Sequence, residues 1–316
     1  MTDLVDLLIS GLVYGSIITV GAIGLTLMSD ILDFFNFAYG DFFTLGAFTT
    51  LAFLSVVPGQ GTFAGLSFGW SMVLAVLLAA LVTVMVMLAF DYLFFRRLRN
   101  MGVSSLFMSI ASLGVSFIIR SIIFMIWGPK VRYYSSEVQL SKEFLGISIR
   151  PDNLFILLSS LLLVAAVYYF LKSSRIGKAL RSVSDNKALA QASGMQPSLM
   201  IMCTWIICGI LAGVGGTLFG IQVQLNPNMG WNFLIPMFVA VIMGGIGSFW
   251  GALIGGMTIG ITEELVTGLI QNLVTAMELQ INVSAYKPAV AFIFVIVILL
   301  LRPYGLFGKP QFNLKR

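Results

Sequence analysis

Long runs of apolar residues, separated by short polar stretches, cover most of the 316-residue chain. A membrane-spanning helix needs about 20 consecutive, mostly apolar residues. The runs that meet this requirement predict spans near residues 4–29, 38–57, 69–95, 103–127, 153–172, 198–224 and 284–302. One further apolar block, 233–270, is long enough for two short spans or for one broken, re-entrant element. We therefore expect eight or nine spans.

The 233–270 block is interrupted by the sequence GGIGSFWG at residues 244–251. Glycine disfavours a helix interior, so the pattern predicts a break at this point. Small residues in such a break serve either close helix packing or the exposure of backbone groups to a solute. The candidate solute-path residues under the second use are Gly244, Gly245, Gly247 and Ser248. GDFF at 40–43 and GSFW at 247–250 share a pattern that would fit an internal duplication.

The composition indicates that the bilayer is the solvent for most of the protein surface. Hydrophobic residues make up 59% of the chain and charged residues only 10%, against about 25% charged residues in soluble domains. We therefore expect an all-α polytopic membrane protein in which residues 1–316 form a single transmembrane domain. With no histidine and two cysteines, neither a metal centre nor a cofactor is expected. The lack of a polar active-site motif predicts that the chain is not an enzyme.

Basic residues predict the orientation of the spans, because cytoplasmic loops are enriched in lysine and arginine. Three segments, after the predicted third, fifth and last spans, hold 12 of the 18 basic residues. They contain Arg96, Arg97 and Arg99, then the stretch 172–195, then Arg302, Lys309, Lys315 and Arg316. Placing all three in the cytoplasm puts the N-terminus outside and the C-terminus inside, which favours nine crossings. The net charge of +5 then reflects membrane orientation and not nucleic-acid binding. The segment 128–152 must lie outside, although it also holds four basic residues.

The stretch KSSRIGKALRSVSDNKALAQASGM, residues 172–195, is polar and basic in an otherwise apolar chain. Its spacing predicts two short amphipathic helices at the membrane surface. The expected apolar positions are Ile176, Leu180 and Val183 in the first helix and Leu189 and Ala192 in the second. Ser184 or Asp185 is expected to cap the second helix, and Gly194 to end it in a left-handed conformation. Two uses of the segment are open: contact with anionic lipid, or docking of a cytoplasmic partner.

Four stretches, in order along the chain, resemble segments of one protein family. They are GLTLMSDILDFFNFAYGDFFTLGAF (24–48), GKALRSVSDNKALAQASGM (177–195), ILAGVGGTLFG (210–220) and FVAVIMGGIGSFWGALIGG (238–256). The family is that of the branched-chain amino acid permeases of ABC transporters, and the chain is most similar to the first of their two paired permease subunits. The resemblance covers most of the chain and implies an importer permease of type II-like architecture in the prokaryotic inner membrane.

The resemblance also implies that residues 173–197 are cytoplasmic coupling helices that dock on an ATPase subunit. The positions that match the family's loop are Gly177, Ala179, Arg181, Asp185, Asn186, Ala190 and Gly194. The implied partners are two ABC ATPase subunits, a second homologous permease subunit and a periplasmic solute-binding protein. ATP must be bound by such partners, because the chain has no Gly-x-x-x-x-Gly-Lys-Ser/Thr loop of its own.

The implied solutes are branched-chain and other neutral, hydrophobic amino acids, and relatives of the family also carry urea or short amides. The residues alone leave open a stand-alone secondary transporter or channel. Such a protein would need a coupling-ion or proton site near the membrane midplane. Arg120 together with Glu263 is the one candidate for it.

Several polar residues lie at the end of the first predicted span and the start of the second: Asp30, Asp33, Asn36 and Asp41. Polar groups near the bilayer are costly and usually face protein, water or a pore. Water at the membrane interface would also account for this group. Asn36 and Asp41 are its candidate solute-path residues, and either could cap the second span.

Two further polar features accompany the predicted spans. Arg120 lies deep in the predicted fourth span and is expected to pair with a carboxylate. Glu263 and Glu264 point to different helix faces, so one of them is a candidate partner for Arg120 or for a neighbouring subunit. The sequence NPNMGW, residues 226–231, is expected to form an outer loop that could meet a solute-delivery protein.

Overall fold

The computed structural model of the protein describes residues 2–57, 66–134, 142–144, 147–277, 283–302 and 305–307. Within these residues the chain forms helices and one short antiparallel pair of strands, β1 (Lys142–Phe144) and β2 (Ile147–Ile149). The helices are α1 (Thr2–Leu32), α2 (Tyr39–Val56), α3 (Trp70–Phe90), α4 (Arg96–Asn100), α5 (Ser105–Trp127), α6 (Pro151–Ser173), α7 (Arg175–Asp185), α8 (Lys187–Ala192), α9 (Pro197–Gln222), α10 (Met229–Gly244), α11 (Phe249–Ala276) and α12 (Lys287–Leu301). A π-helical turn, Asp91–Phe95, joins α3 to α4, and a 3-10 turn, Val283–Tyr286, precedes α12.

Seven helical segments of the described residues are long and apolar enough to cross a membrane: α1, α2, α3 with its continuation to Asn100, α5, α6, α9 and α11. The helices α10 and α12 are also apolar but have only 16 and 15 residues. The expectation of an all-α polytopic membrane protein is therefore confirmed. The 233–270 block is divided between α10 and α11, which meet at the glycine-rich turn after Gly244.

Helix α1 lies at the centre of the bundle and packs against α6, α9, α10 and α11. Its closest neighbour is α11, and small residues allow the approach. A methyl group added at Gly11 would lie 2.8 Å from the Cα atom of Ile261, and one at Gly15 would lie 3.1 Å from the Cα atom of Met257. Small residues spaced by four let helix backbones approach closely in a membrane, where dispersion contacts replace the hydrophobic effect. This contact holds α1 and α11 together as a closely packed antiparallel pair.

Helices α2 and α10 both begin after a short non-helical segment, and the two segments have the same local geometry. In the first, the Asn36 side-chain oxygen accepts a hydrogen bond from the Ala38 N–H at 3.0 Å. In the second, the Asn226 side-chain oxygen accepts one from the Asn228 N–H at 2.9 Å. Both helices then start at the next residue, and a glycine follows in each. Residues 36–40 and 226–230 therefore share a local geometry, a similarity that the sequence analysis missed.

The similarity of GDFF and GSFW does not reflect equivalent positions. GDFF lies within the first turn of α2, whereas GSFW includes the turn before α11 and Gly247 with a φ of 81°. A left-handed φ is incompatible with a helical position. These two stretches are therefore not structurally equivalent, and they do not support an internal duplication.

The N-terminal turns of α2 and α10 meet inside the bundle. A methyl group at Gly230 would overlap the carbonyl oxygen of Gly40, and the Gly230 N–H donates to the Thr44 hydroxyl at 3.0 Å. We call this contact, formed by Gly40, Thr44 and Gly230, the helix junction. From it, α2 runs alongside α9, where the hydroxyl oxygens of Thr50 and Thr217 lie 2.7 Å apart. Helix α10 runs the opposite way, to the turn where it meets α11.

The basic segments of the described chain lie at one end of the bundle, which we call the basic end. Phe95, just before Arg96, stacks on Phe34 at the end of α1, and the segment 172–195 packs against the same end. After α12, the Leu306 N–H donates to the Met243 carbonyl at 2.8 Å and brings the chain back to this end. Lys309, Lys315 and Arg316, which were also predicted to lie in the cytoplasm, are outside the described residues.

The segment before α10 is held from the opposite end of the bundle. The backbones of Arg132 and Leu225 form an antiparallel bridge, with N···O distances of 2.9 and 3.0 Å. The Tyr134 hydroxyl donates to the Ala47 carbonyl of α2 at 2.8 Å, and burial raises the pKa of this tyrosine above its ordinary value. Of residues 226–231, expected as an outer loop, 226–228 form a non-helical turn in which Asn228 is exposed, and 229–231 are already the first residues of α10.

Candidate functional site

The helix junction places the N-terminal ends of two helices next to each other inside a membrane-spanning bundle. The first N–H groups of a helix have no intrahelical partner, and the helix dipole adds a partial positive charge there. Asn36 and Asn226 satisfy one N–H group each, and the hydroxyl of Thr44 satisfies that of Gly230. An arrangement of two short helices that begin at the membrane interior is typical of solute sites in transporters.

A buried ion pair stands beside this junction. The Asp41 carboxylate, with none of its side-chain surface exposed, accepts hydrogen bonds from the Arg120 Nε at 3.1 Å and Nη2 at 2.9 Å. It also accepts one from the Ser116 hydroxyl. The Arg120 guanidinium lies 4.7 Å from the ring centroid of Trp231, which belongs to α10. Arg120 therefore joins α5, α2 and α10 at the point where α2 and α10 begin.

The expected carboxylate pairing of Arg120 is confirmed, but the suggested partner was wrong. Glu264 binds Lys287, with its Oε1 atom 2.5 Å from the Lys287 Nζ. Glu263 lies on α11 with neither side-chain oxygen bonded to a described residue. Asp41 is the partner because α2 starts within the bundle, which carries its first turn to the depth of Arg120. A proton or ion site built from Arg120 and Glu263 is therefore not formed.

The segment 172–195, expected as two amphipathic helices, forms α7 and α8, and each has a side-chain cap. The Ser174 hydroxyl accepts from the Gly177 N–H at 2.8 Å, and the Asn186 side chain accepts from the Leu189 N–H at 3.0 Å. Asn186 thus caps α8 in place of the expected Ser184 or Asp185. Gly194 has the expected left-handed conformation, with a φ of 82°.

Buried residues of α7 and α8 hold this segment on the rest of the chain. Leu180 and Val183 are buried as expected, whereas in α8 the buried position is Ala190 and not Leu189 or Ala192. A side chain at Gly177 would overlap the Leu171 carbonyl of α6, so glycine is required at this sharp turn.

The Arg181 guanidinium donates to the Leu171 carbonyl at 2.7 Å and so caps the end of α6. Ala179 packs partly buried in the same small cluster. The contacts of Gly177, Ala190 and Arg181 therefore fix the position of α7 and α8 against the rest of the chain.

The outer face of α7 and α8 remains open to a partner. Leu189 is 65% exposed, Ile176 is 37% exposed, and the basic side chains of Arg175 and Lys178 in α7 are exposed as well. Asp185 and Asn186 are exposed at the turn between the helices. Exposed apolar side chains framed by polar residues are typical of a protein-binding surface.

The inner face of the segment is bonded to the end of α1. The Ser184 hydroxyl donates to the Asp30 carboxylate at 2.5 Å, and Lys187 forms an ion pair with Asp33. Asp33 has a φ of 60°, a left-handed conformation that reverses the chain as α1 ends. Gly247 lies against Asp30 as well, because a methyl group at Gly247 would be 2.9 Å from the Asp30 Oδ1 atom. One aspartate thus connects α7, α1 and the turn before α11.

The predicted solute-path residues fall into two separate groups. Asn36 and Asp41 are buried at the helix junction. The group Gly244, Gly245, Gly247 and Ser248 lies at the basic end, where Ser248 caps α11 by accepting from the Gly251 N–H at 3.0 Å. The Gly244 carbonyl accepts from the Phe307 N–H at 3.0 Å. In this group, tight packing of α10 on α11 accounts for Gly244, and left-handed φ values of 100° and 81° account for Gly245 and Gly247 in the turn. Their role in a solute path stays a prediction.

A bundle of apolar helices, in which two short helices begin face to face beside a buried ion pair, has the architecture of a membrane transport protein. Residues 7–301 match the family described as the permease component of the branched-chain amino acid transport system, and the chain belongs to this family. The expected family assignment is thereby confirmed. Among the described residues, no group of three histidine, cysteine or acidic side chains could hold a metal ion.

Curated relatives match the chain over nearly its full length. The high-affinity branched-chain amino acid transport system permease protein LivH of Escherichia coli K12 is 26% identical, covering 96% of this chain and 94% of the relative. BraD of Pseudomonas aeruginosa, a permease protein of the same type of system, is 28% identical and covers 96% and 95%. A probable LivH of Methanocaldococcus jannaschii is 28% identical and covers 96% and 93%. No solved structure is significantly similar to the chain.

Proposed function

We propose that this chain is the non-catalytic transmembrane subunit of an ATP-driven importer of branched-chain amino acids. The family and the names of its full-length relatives support the transport system and the solute class. The observation that carries the proposal is the segment formed by α7 and α8, which has an exposed apolar and basic outer face and an inner face bonded to α1. Such a segment can receive a partner's movement and pass it to the bundle.

The route from this segment to the helix junction is short. Ser184 and Lys187 bind Asp30 and Asp33 at the end of α1, and residues 34–38 lead directly from there to the start of α2. A displacement of α7 therefore acts on the chain that positions Gly40 and Asp41. Helix α11 is reached through Gly247, which lies against Asp30. Movement of this one surface would open or close the contact between α2 and α10.

The proposed assembly has two ABC ATPase subunits on the basic end, a second related permease subunit and a periplasmic solute-binding protein on the opposite end. The basic end faces the cytoplasm, since basic segments are retained on that side. The N-terminus is then outside and the C-terminus inside. Residues 1–316 act as one permease domain, with residues 173–197 as its coupling helices.

Leu189 provides the test of docking. A leucine of this exposure contributes about 1.5–3 kcal/mol when a partner covers it, and a carboxylate in its place would add a desolvation penalty. We expect Leu189→Glu to reduce co-purification of the ATPase subunits at least about tenfold. Gln191→Glu adds the same charge two residues away, on the opposite side of α8, and is expected to retain them.

ATP-driven uptake of labelled leucine into vesicles, with the binding protein present, completes the test. Leu189→Glu should lose uptake, and Gln191→Glu should keep it. Labelled urea, assayed in parallel, is expected to stay outside. If Leu189→Glu retains both the ATPase subunits and uptake, the docking surface is wrong. Import of urea in place of leucine would contradict the solute class.

A further inference from the structure

A cavity of about 350 Å³ lies on the side of the helix junction that faces α11 and α12. It is lined by Tyr14 of α1, Asn232 of α10, Glu263 of α11 and Lys287 of α12, together with aromatic rings of α9 and α10. Small-molecule sites have volumes of roughly 300–1,000 Å³, mostly apolar walls and a few polar groups. The cavity therefore has the size and lining of a site for a small solute.

Glu263 is the unusual residue of this cavity. It is 1% exposed, and neither oxygen of its carboxyl group has a hydrogen-bond partner among the described residues. Buried polar groups are almost always bonded, and an unpaired carboxylate in an apolar setting is strongly unfavourable. Glu263 is therefore available to a ligand that donates hydrogen bonds or carries positive charge.

The nearby cation, Lys287, acts on Glu263 through its charge but donates no hydrogen bond to it. The Lys287 Nζ atom lies 2.5 Å from the Glu264 Oε1 atom and 5.5 Å from the ring centroid of Tyr14. Glu264, which lies next to Glu263 on α11, thus forms the ion pair with Lys287. Glu263 is left to face the cavity with the amide of Asn232 and the ring and hydroxyl of Tyr14.

The lining selects a primary ammonium group over a metal ion. An ammonium group has three N–H donors, and the cavity offers acceptors on Glu263, Asn232 and Tyr14. A hard metal cation would require about six oxygen ligands, more than these side chains provide.

We propose that this cavity binds the primary ammonium group of the amino acid in transit, with Glu263 as its anionic partner. The inference rests on the proposed function for the identity of the solute. It adds a binding site within this one subunit, next to the helix junction. The aliphatic side chain of the solute would lie against Phe219 and Phe233, whose stacked rings line the cavity with centroids 4.1 Å apart.

The test is saturable binding of labelled leucine to the assembled transporter without its binding protein. Phosphatidylcholine nanodiscs are used, because this lipid supplies no primary ammonium group. Isobutylamine, which keeps the ammonium and the branched chain, is expected to compete with leucine. Isobutyrate, which keeps the branched chain and a carboxylate, is not. This comparison uses the wild-type protein and does not depend on the folding of a variant.

Glu263→Gln is expected to weaken leucine and isobutylamine binding about tenfold or more, as loss of a charged hydrogen-bond partner does. Asp6→Asn removes an acid from the same chain about two turns before Tyr14 and should bind leucine as the wild type does. Equal binding by Glu263→Gln and wild type, equal competition by isobutyrate, or no saturable binding to wild type would each overturn the inference. ATP-driven uptake by the complete wild-type assembly tests the proposed function separately. The assembly can import leucine even if the cavity does not bind it, so failure of the binding tests would overturn this inference and leave the proposed function standing.

Discussion

The buried pair of Asp41 and Arg120 makes the most quantitative prediction. Replacing Asp41 with asparagine keeps the size of the side chain but leaves the Arg120 guanidinium without its counter-ion. The Asp41 side chain is fully buried and that of Arg120 is only 12% exposed, so water cannot replace the lost charge. Removal of one member of a buried pair costs about 3–5 kcal/mol. We expect Asp41→Asn to lower the free energy of unfolding by that amount.

The double variant separates the loss of a pair from the loss of a packed side chain. Asp41→Asn with Arg120→Met removes both charges, so no unpaired ion remains in the bundle. Its destabilisation should be smaller than the sum of the two single changes, since residues in contact do not act additively. Asp33→Asn is the control, because the Asp33–Lys187 pair has side chains that are 63% and 39% exposed. Exposed pairs contribute about 0–1 kcal/mol.

The assay is unfolding of the purified protein in mixed micelles with increasing dodecyl sulfate, followed by circular dichroism. Wild type, both single variants, the double variant and Asp33→Asn are compared in one buffer at neutral pH. If Asp41→Asn unfolds within about 1 kcal/mol of wild type, or the two single changes simply add, Arg120 does not depend on Asp41 and the account of the junction is refuted.

Two further predictions concern contacts made by small residues. Gly230→Ala should sharply reduce the yield of monodisperse protein after detergent extraction, because the added methyl group would overlap the Gly40 carbonyl. Gly114→Ala is its control and should extract normally, since a methyl group there would meet nothing within 4 Å; similar yields for both would show that the junction is not tightly packed. Thr50→Val removes the hydrogen bond to Thr217 and should destabilise the protein by about 1 kcal/mol in the unfolding assay, whereas an unchanged midpoint would contradict that bond.

Hydropathy predicted the main helices because lipid-facing positions must be apolar whatever the packing. It placed the predicted span 38–57 within a residue of α2, Tyr39–Val56. It could not show that α2 starts inside the bundle, because the composition of a helix does not report its depth. The shared spacing of asparagine and glycine in 36–40 and 226–230 was a usable signal for that feature. It was missed because the comparison of GDFF with GSFW aligned helix residues with a turn.

Partners within the bundle were harder to predict than the helices themselves. Arg120 clearly needed a carboxylate, but the chain has 13 acidic residues, and only the depth of α2 selects Asp41. The cap of α8 was predicted one or two residues too early for a similar reason. Asn186 takes the role expected of Ser184 because Ser184 is turned towards Asp30. These choices depend on tertiary packing, which a single sequence does not specify.

The central claim is that the segment formed by α7 and α8 passes movement to α1 through the Ser184–Asp30 hydrogen bond. Its most direct test is the number of leucine molecules imported per ATP hydrolysed, measured on the reconstituted assembly. Ser184→Ala should still bind the ATPase subunits and hydrolyse ATP but import fewer leucine molecules per ATP. Ser182→Ala, which loses only a bond to the Lys178 carbonyl of its own helix, should match wild type. An unchanged ratio for Ser184→Ala would contradict the claim.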